Sequence, residues 1–178
     1  MIQTPVLDDR SLHDCDLDEV DLEIVRALQD NARTQNAELA RRVDMAPSAV
    51  LKRVRKLEER GVLRGFRALV SPPHVGLKLL AYVSVKANES MSEWCTGEAL
   101  ARIPEVQEVH HVAGEDCYLI KVRTSSTEAL GRLLREKLGT IKTVVSTRST
   151  IVLETIKEEP GLPLGPFEGD GDVSKDLR

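Results

Sequence analysis

Aromatic residues are scarce in this sequence: one Trp, two Tyr and two Phe make up 3% of its 178 residues. A hydrophobic core must therefore be built mainly from Leu, Val, Ile and Ala. Long apolar runs are missing as well, because no stretch approaches the ~20 residues that a membrane-spanning helix needs. Residues 1–16 are acidic and lack the basic and apolar regions of a signal peptide, so we expect a cytoplasmic protein.

Cysteine and histidine are too scattered to indicate a metal site or a disulfide framework. Cys15, Cys95 and Cys117 lie far apart without a CxxC spacing, and we expect Cys95 and Cys117 to be free thiols in the core. His110 and His111 are adjacent, so on a strand they would point to opposite faces, one buried and one exposed. Because no nucleophile–base pairing or phosphate loop is present either, the sequence predicts neither an enzyme nor a bound metal or cofactor.

The net charge of −4 would argue against nucleic-acid binding if the charge were evenly spread, and it is not. Residues 33–67 contain ten basic and four acidic residues, whereas residues 1–32 contain two basic and nine acidic ones. From residue 154 onward the chain is acidic again. A basic block inside an acidic protein is a localised electrostatic footprint, typical of a surface that contacts DNA.

The basic block coincides with a predicted helix-turn-helix. A first helix over 17–31 is capped by Asp18, and a second helix spans 36–43. Pro47 opens a third helix, which ends at Gly61. The apolar residues of this third helix follow helical spacing and are Val50, Val54 and Leu57. Helix, short helix, tight turn and helix is the layout of a helix-turn-helix.

The opposite side of the third helix is predicted to face DNA. Residues near the N-terminus of a recognition helix usually reach base edges, and here these are Ser48, Ala49 and Lys52. Phosphate contacts suit five further basic residues of the block, namely Arg33, Arg41, Arg42, Arg55 and Lys56. Arg53 lies beside the core face, so a structural salt bridge is at least as good an interpretation as a DNA contact. The alternative for the whole face is a solvated basic surface on an ordinary three-helix bundle.

The second half of the chain predicts the element order βαββαβ. Strands are expected at four places, over 79–87, 106–112, 117–124 and 141–156. Capping boxes at Ser90-x-x-Glu93 and Ser125-x-x-Glu128 start the two helices. This order is typical of a ferredoxin-like antiparallel sheet with both helices on one face. Pairing with the sheet of a second copy is then the simplest way to cover the other face.

We therefore predict an α+β protein: a winged-type helix-turn-helix followed by a ferredoxin-like βαββαβ domain. Its five parts are an N-terminal extension (1–15), the helix-turn-helix (16–64), a linker (65–76), the ferredoxin-like domain (77–158) and a disordered acidic tail (159–178). The Pro- and Gly-containing stretch at 71–76 places the boundary, and a short strand is expected just before it, over 65–70. The tail is rich in Gly, Pro and Asp and has no periodicity.

Three stretches of the chain resemble the Lrp/AsnC family of bacterial and archaeal transcription regulators. They are residues 17–25 (LDEVDLEIV), residues 38–63 (with ELA, PSAV, RVRKLE and GVL) and residues 103–122 (with IPEV, VAGE and YLIKV). The resemblance covers about residues 16–158. It implies double-stranded DNA as a partner and a C-terminal ligand-sensing domain, often called RAM, that pairs into dimers through its sheet. Such dimers commonly build tetramers or octamers, and the effector is typically an amino acid bound near a dimer–dimer contact.

The resemblance also implies an effector site at the turn Gly114-Glu115-Asp116. Glycine permits a tight turn whose backbone groups can meet a carboxylate, and Glu115 or Asp116 can pair with an α-ammonium group. Thr147 and Ser149 on the last strand could add hydroxyl groups. The alternative is an ordinary polar hairpin turn beside a strand with solvent-facing hydroxyls.

The chain departs from the family pattern at three places. Ala46 and Gln35 stand where the family often has a capping Ser, and each change could cost roughly 1 kcal/mol of local stability. The sensing turn often ends in an aromatic residue followed by Asp, whereas here Asp116 and Cys117 follow Gly114-Glu115.

Two other functions are open at this point. The first is a sensor or interaction module that works without DNA, for which the C-terminal half alone would suffice. The second is an enzyme, since some relatives of this architecture decarboxylate a tetrapyrrole in haem biosynthesis using His and Arg. His110, His111 and Arg123 would be the residues available for that chemistry.

Overall fold

The computed structural model of the chain describes residues 17–89 and 95–164. The predicted N-terminal extension, the capping box at Ser90 and Glu93, and residues 165–178 of the predicted tail lie outside the described residues. The chain divides into two compact units. Of the described residues, the first unit contains 17–68 together with 159–164, and the second lies within Leu69–Glu158. The second unit thus starts inside the predicted linker.

Three helices make up the first unit, and all three are at the predicted places. They are α1 (Glu19–Asp30), α2 (Asn36–Arg42) and α3 (Pro47–Glu59). Asp18 caps α1 as predicted, because its carboxylate accepts a hydrogen bond of 2.7 Å from the backbone N–H of Asp21. The core of this unit consists of small and aliphatic residues from all three helices: Ile24, Val25, Ala27, Leu28, Leu39, Ala40, Val50 and Leu57.

The expected short strand over residues 65–70 is wrong. These residues adopt no regular structure, and Phe66, Leu69 and Val70 are exposed. A strand is stabilised by hydrogen bonds to a neighbouring strand. The four-stranded sheet of the described chain does not include these residues. Although their composition favours a strand, they have no neighbouring strand with which to form hydrogen bonds.

The second unit has the predicted βαββαβ order. Its elements are β1 (Leu79–Ala87), α4 (Cys95–Ala101), β2 (Val106–His111), β3 (Tyr118–Thr124), α5 (Thr127–Glu136) and β4 (Val144–Ile151). The strand order is β2-β3-β1-β4, and every neighbouring pair is antiparallel. The predicted ferredoxin-like sheet is therefore confirmed.

Two boundaries in this unit differ from the prediction. The residue that caps α5 is Ser126, not Ser125, since the Ser126 hydroxyl accepts from the backbone N–H of Ala129 at 3.2 Å. The last strand is also shorter than the predicted range 141–156. It pairs with β1, and this ladder runs from Val144 to Ile151. Beyond the ladder, the backbone N–H of Val152 makes one more hydrogen bond, of 3.0 Å, to the carbonyl of Leu80 near the start of β1.

The two faces of the sheet differ in what covers them. On one face, β1 and β3 contribute Ala81, Val83, Val85, Ile120 and Val122 to a core that both helices close with Leu100, Leu130 and Leu133. The other face, which we call the open face, carries the residues that alternate with these. They include Leu80, Tyr82 and Ser84 on β1, and Leu119, Lys121 and Arg123 on β3.

One expectation about Cys95 and one about the paired histidines are wrong. Cys95 is a free thiol but is exposed, at the start of α4, whereas Cys117 is a half-buried free thiol that packs against the core, as expected. His110 and His111 are both exposed, although the register does place them beside Leu119 and Tyr118 on opposite faces. They lie on β2, which is an edge strand of the sheet, and an edge position leaves even the inward-facing side chain His111 uncovered.

Candidate nucleic-acid interface and effector turn

The candidate nucleic-acid interface is the solvent-facing side of α3. Ser48, Lys52 and Arg55 follow each other at spacings of four and three residues, so they form one line along the helix, and all three are exposed. Lys56 beside them is also exposed, and Ala49 is half-buried. Val50 and Leu57 on the opposite side are buried in the core of the unit. The helix therefore presents to solvent the residues that the sequence assigned to DNA.

The turn before α3 fixes where this helix begins. Asp44 adopts a φ of 51°, a left-handed conformation that Asp tolerates better than most residues with a side chain. Ala46 precedes the helix without a side-chain cap, and Gln35 before α2 has none either, as their residue types predicted. Pro47 occupies the first turn, where its missing N–H costs no hydrogen bond.

Arg53 is the exception on α3, because it points away from the exposed line. Its Nη1 lies 2.7 Å from an oxygen of Asp18 and 2.7 Å from an oxygen of Asp21. The backbone N–H of Asp21 and the guanidinium of Arg53 lower the pKa of Asp18, while the two carboxylates raise the pKa of Arg53. Arg53 thus forms the structural salt bridge that joins the start of α1 to the middle of α3.

The remaining predicted phosphate contacts lie on or near α2. Arg41 and Arg42 both pair with Glu38, one turn earlier on the same helix. Arg33 is exposed in the loop between α1 and α2. Lys52, Arg55 and Lys56, by contrast, form no ion pair within 4 Å with any residue that the structure describes. Of the basic residues predicted to contact DNA that lack an ion pair among the described residues, Arg33 lies in a loop and the other three lie on α3.

The candidate effector turn joins β2 to β3. Gly114 has a φ of 136°, which a residue with a side chain rarely adopts, and Glu115 beside it is exposed. Asp116 is half-buried, and its Oδ2 accepts a hydrogen bond of 2.6 Å from Nη2 of Arg148 on β4. The most specific polar contact of the turn is therefore an ion pair with the last strand.

Arg148 is a residue that the sequence analysis missed. It stands between Thr147 and Ser149 and pairs with Ser84, so it lies on the open face. Thr147 and Ser149 pair with Val85 and Val83 and lie on the other face. The structure thus brings Asp116 to Arg148, and does not place the two predicted hydroxyls on the same face as that ion pair. The two-residue period of a strand could have revealed Arg148, because neighbours along a strand point to opposite faces.

Glu89 links the start of β3, the strand that follows the turn, to the start of α4 through hydrogen bonds. It accepts hydrogen bonds from the phenol of Tyr118 and, at 3.1 and 2.6 Å, from the backbone N–H and the hydroxyl of Thr96 at the start of α4. Burial opposes the charge on Glu89, but these hydrogen bonds outweigh it and lower its pKa. Burial and the Glu89 carboxylate raise the pKa of Tyr118 to about 12. No local sequence signal connects Glu89 with Tyr118, which is 29 residues away.

The residues available for an enzyme are not assembled into a site. Arg123 binds Glu158 at 2.7 Å and Gln107 at 3.1 Å, and His110 lies 3.4 Å from Glu108. His111 stacks at a tilt on Tyr118, with 5.2 Å between ring centroids. Among residues 17–89 and 95–164, no three His, Cys, Asp or Glu side chains are grouped as metal ligands, and no helix could cross a membrane.

Comparison with known proteins matches both halves of the chain. A family model for a winged helix-turn-helix DNA-binding domain matches residues 17–64, and one for the Lrp/AsnC ligand binding domain matches residues 80–162. The leucine-responsive regulatory protein of Escherichia coli is 35% identical over 145 residues, which are 80% of this chain and 88% of that protein.

Two similar solved structures contain an amino acid. One is a transcriptional regulator of Neisseria meningitidis in complex with L-Met. It matches with a TM-score of 0.75 and 32% sequence identity, over 83% of this chain and 97% of the other. The second is a feast or famine regulatory protein of Mycobacterium tuberculosis complexed with L-methionine, which matches with a TM-score of 0.76 and 38% identity, over 82% of this chain and 98% of the other. Both the predicted fold and the predicted resemblance are confirmed, and the chain belongs to the Lrp/AsnC family of transcription regulators.

Proposed function

We propose that this regulator binds specific double-stranded DNA through α3 and responds to an amino acid or a related small metabolite at the turn Gly114-Glu115-Asp116. The observation that carries the proposal is the line Ser48, Lys52 and Arg55, which is exposed and includes two cations without an ion-pair partner among the described residues. A surface of this kind favours an anionic partner of regular shape.

The residues of the interface divide into two roles. Ser48, Ala49 and Lys52 belong to the first turn and a half of α3, from which side chains reach base edges in the major groove. Arg55 and Lys56 lie further along, where phosphates are the nearer partners. Arg33, Arg41 and Arg42 also contact phosphates in this proposal. Because Glu38 pairs with Arg41 and Arg42, these two contribute less than Arg55.

A pair of single substitutions separates the two roles. Lys52→Ala should relax base preference at one position by ~1–3 kcal/mol, and Arg55→Ala should weaken binding to all sequences while flattening the salt slope by about 1. Arg132→Ala, an exposed arginine on α5, is the matched control and should leave the DNA affinity unchanged. Equal losses for Lys52→Ala and Arg55→Ala on cognate and random DNA would contradict this division.

The effector turn suits a zwitterion. The carboxylate of Asp116 can bind an α-ammonium group, and the guanidinium of Arg148 can bind an α-carboxylate. For this the ligand replaces the ion pair that Asp116 and Arg148 form with each other. The two relatives that hold L-methionine support an amino acid as the ligand class. Thr147 and Ser149 remain candidate hydroxyl contacts, approached from the other face of β4.

Isothermal titration with a panel of amino acids tests the effector proposal. At least one member should bind to the wild-type chain, and Asp116→Asn and Arg148→Gln should each weaken that binding while leaving the fold intact. No heat with any amino acid, from protein that still binds DNA, would contradict it.

Assembly of the protein is part of the proposal. The open face has neither of the unit's two helices packed on it and carries Leu80, Tyr82 and Leu119 beside polar residues. An antiparallel sheet with helices on one face only favours pairing with a second copy through the other. We expect a homodimer that builds tetramers or octamers, located in the cytoplasm. Sedimentation of the purified chain as a monomer at micromolar concentration would contradict this expectation.

A further inference from the structure

The C-terminal segment of the chain contacts the DNA-binding unit. Residues 159–164 have no helix or strand, as predicted for the tail, but they lie against α1. Gln29 forms two hydrogen bonds with the backbone of Leu162: its Oε1 accepts from the N–H at 2.8 Å, and its Nε2 donates to the carbonyl at 3.2 Å. Nε of Arg26 donates to the carbonyl of Leu164 at 2.6 Å.

One apolar contact accompanies these hydrogen bonds. The half-buried side chain of Leu164 packs against the core of the first unit, whereas Leu162 stays 69% exposed. Backbone hydrogen bonds combined with a side chain that packs on the core are typical of the recognition of an extended peptide. The side chains of Arg26 and Gln29 thus form a docking surface for this chain's own C-terminal segment.

The residues that follow the docked segment are acidic. Glu168, Asp170 and Asp172 come within eight residues of Leu164, and no basic residue lies among them. A chain of that length reaches at most about 28 Å. The docked segment belongs to the same unit as the basic block over 33–67, which has ten basic and four acidic residues. Docking therefore tethers acidic residues to the unit whose positive charge DNA phosphates would use.

We propose that the C-terminal segment is an intramolecular competitor of DNA: residues 159–164 dock on α1 and so tether the acidic residues Glu168, Asp170 and Asp172 to the DNA-binding unit, where their carboxylates compete with phosphates for its basic residues. This inference rests on the proposed DNA-binding function. The contacts need not be strong, because a ligand tethered by a short linker acts at an effective concentration in the millimolar range. The competition weakens DNA binding at low salt and lessens as salt screens the acidic residues.

Two full-length variants test the proposal by fluorescence anisotropy with labelled duplex DNA at low and at physiological salt. The neutral variant Glu168→Gln/Asp170→Asn/Asp172→Asn keeps the docking contacts. Because two or three exposed charge pairs are lost, it should bind DNA about three- to tenfold more tightly at low salt. The undocked variant Gln29→Ala/Leu164→Ser keeps every charge and should also bind more tightly. For both variants the gain should shrink at physiological salt, and thermal unfolding checks that each is folded.

The outcomes separate the parts of the argument. Equal affinity of the neutral variant and the wild type at low salt, with wild-type binding that depends on Arg55, overturns the competitor proposal and leaves the DNA-binding function standing. A gain in the neutral variant without any gain in the undocked variant shows that the tail acts without docking on α1, which also overturns it. Absence of DNA binding in all folded variants overturns both the competitor proposal and the proposed function.

Discussion

Replacing Arg53 separates the structural from the DNA-contacting cations of α3. Nη1 of Arg53 lies 2.7 Å from both Asp18 and Asp21, and Asp21 is only 9% exposed. Arg53→Met keeps the length of the side chain but leaves the buried carboxylate of Asp21 without its cation. An unpaired buried acceptor costs ~1–3 kcal/mol, and because water can reach the place of the half-exposed guanidinium, we expect the lower part of this range.

For a unit of this size, a loss of about 1–2 kcal/mol corresponds to a fall in Tm of roughly 4–16 °C. Thermal unfolding followed by circular dichroism measures this fall. The matched control is Arg55→Met on the exposed side of the same helix. Because surface substitutions usually have small effects, we expect it to change the free energy of unfolding by no more than about 0.5 kcal/mol.

The two substitutions should affect DNA affinity in the reverse order, with a large effect for Arg55→Met and a small one for Arg53→Met. Well below its Tm, the Arg53→Met protein should bind DNA within about twofold of the wild type, because Arg53 faces α1 rather than the groove. Arg55→Met should lose affinity for every sequence. An Arg53→Met protein that melts like the wild type but loses DNA binding would refute the reasoning, since Arg53 would then be a DNA contact.

Three further predictions concern stability and ionisation. Ala46→Ser should add the missing cap of α3 and raise the free energy of unfolding by about 1 kcal/mol in urea titrations, and no gain would mean that the turn cannot present the hydroxyl. Lys137 lowers the pKa of Glu105, so this pair stabilises the fold above the ordinary Glu pKa of 4.5, and the stabilisation is lost as the pH falls through the folded-state pKa. Lys137→Met should thus be less stable than the wild type at pH 7, with a gap that closes in acid; a gap independent of pH would contradict this pairing. Tyr118, the only tyrosine left in a Tyr82→Phe variant, should ionise at about pH 12 rather than 10.0 in an absorbance titration, and stability should fall above pH 10 as the unfolded chain releases this proton. An ionisation midpoint near pH 10, in protein whose circular dichroism spectrum shows that it is still folded, would contradict the buried hydrogen bond between Tyr118 and Glu89.

The helices of the first unit could be predicted because their signals are local. Asp18 caps a helix three residues before its first partner, Pro47 marks a first turn, and Gly61 follows the last turn with a φ of 71°. Where two adjacent residues could each cap a helix, these local signals locate the cap only to within one residue. Ser125 and Ser126 are such a pair, and only the structure shows that Ser126 makes the hydrogen bond.

Features that depend on distant partners could not be predicted in this way. Residues 65–70 have the composition of a strand but no strand to pair with, and the exposure of His111 follows from its place on an edge strand. The ion pair between Asp116 and Arg148 joins residues 32 apart, across the sheet. The contact of Leu162 with Gln29 spans 133 residues and converts part of an expected tail into a segment that docks on α1.

The most direct test of the central claim is a gel shift of the purified chain on the DNA upstream of its own gene, against a random fragment of equal length, across a salt series. The account predicts preferential binding to the upstream fragment, weakened as salt rises because phosphate contacts release counterions, and weakened at every salt concentration by Arg55→Ala. Folded protein that binds neither fragment even at low salt, or that binds both equally and independently of Arg55, would contradict the assignment of α3 as a sequence-specific DNA-binding surface.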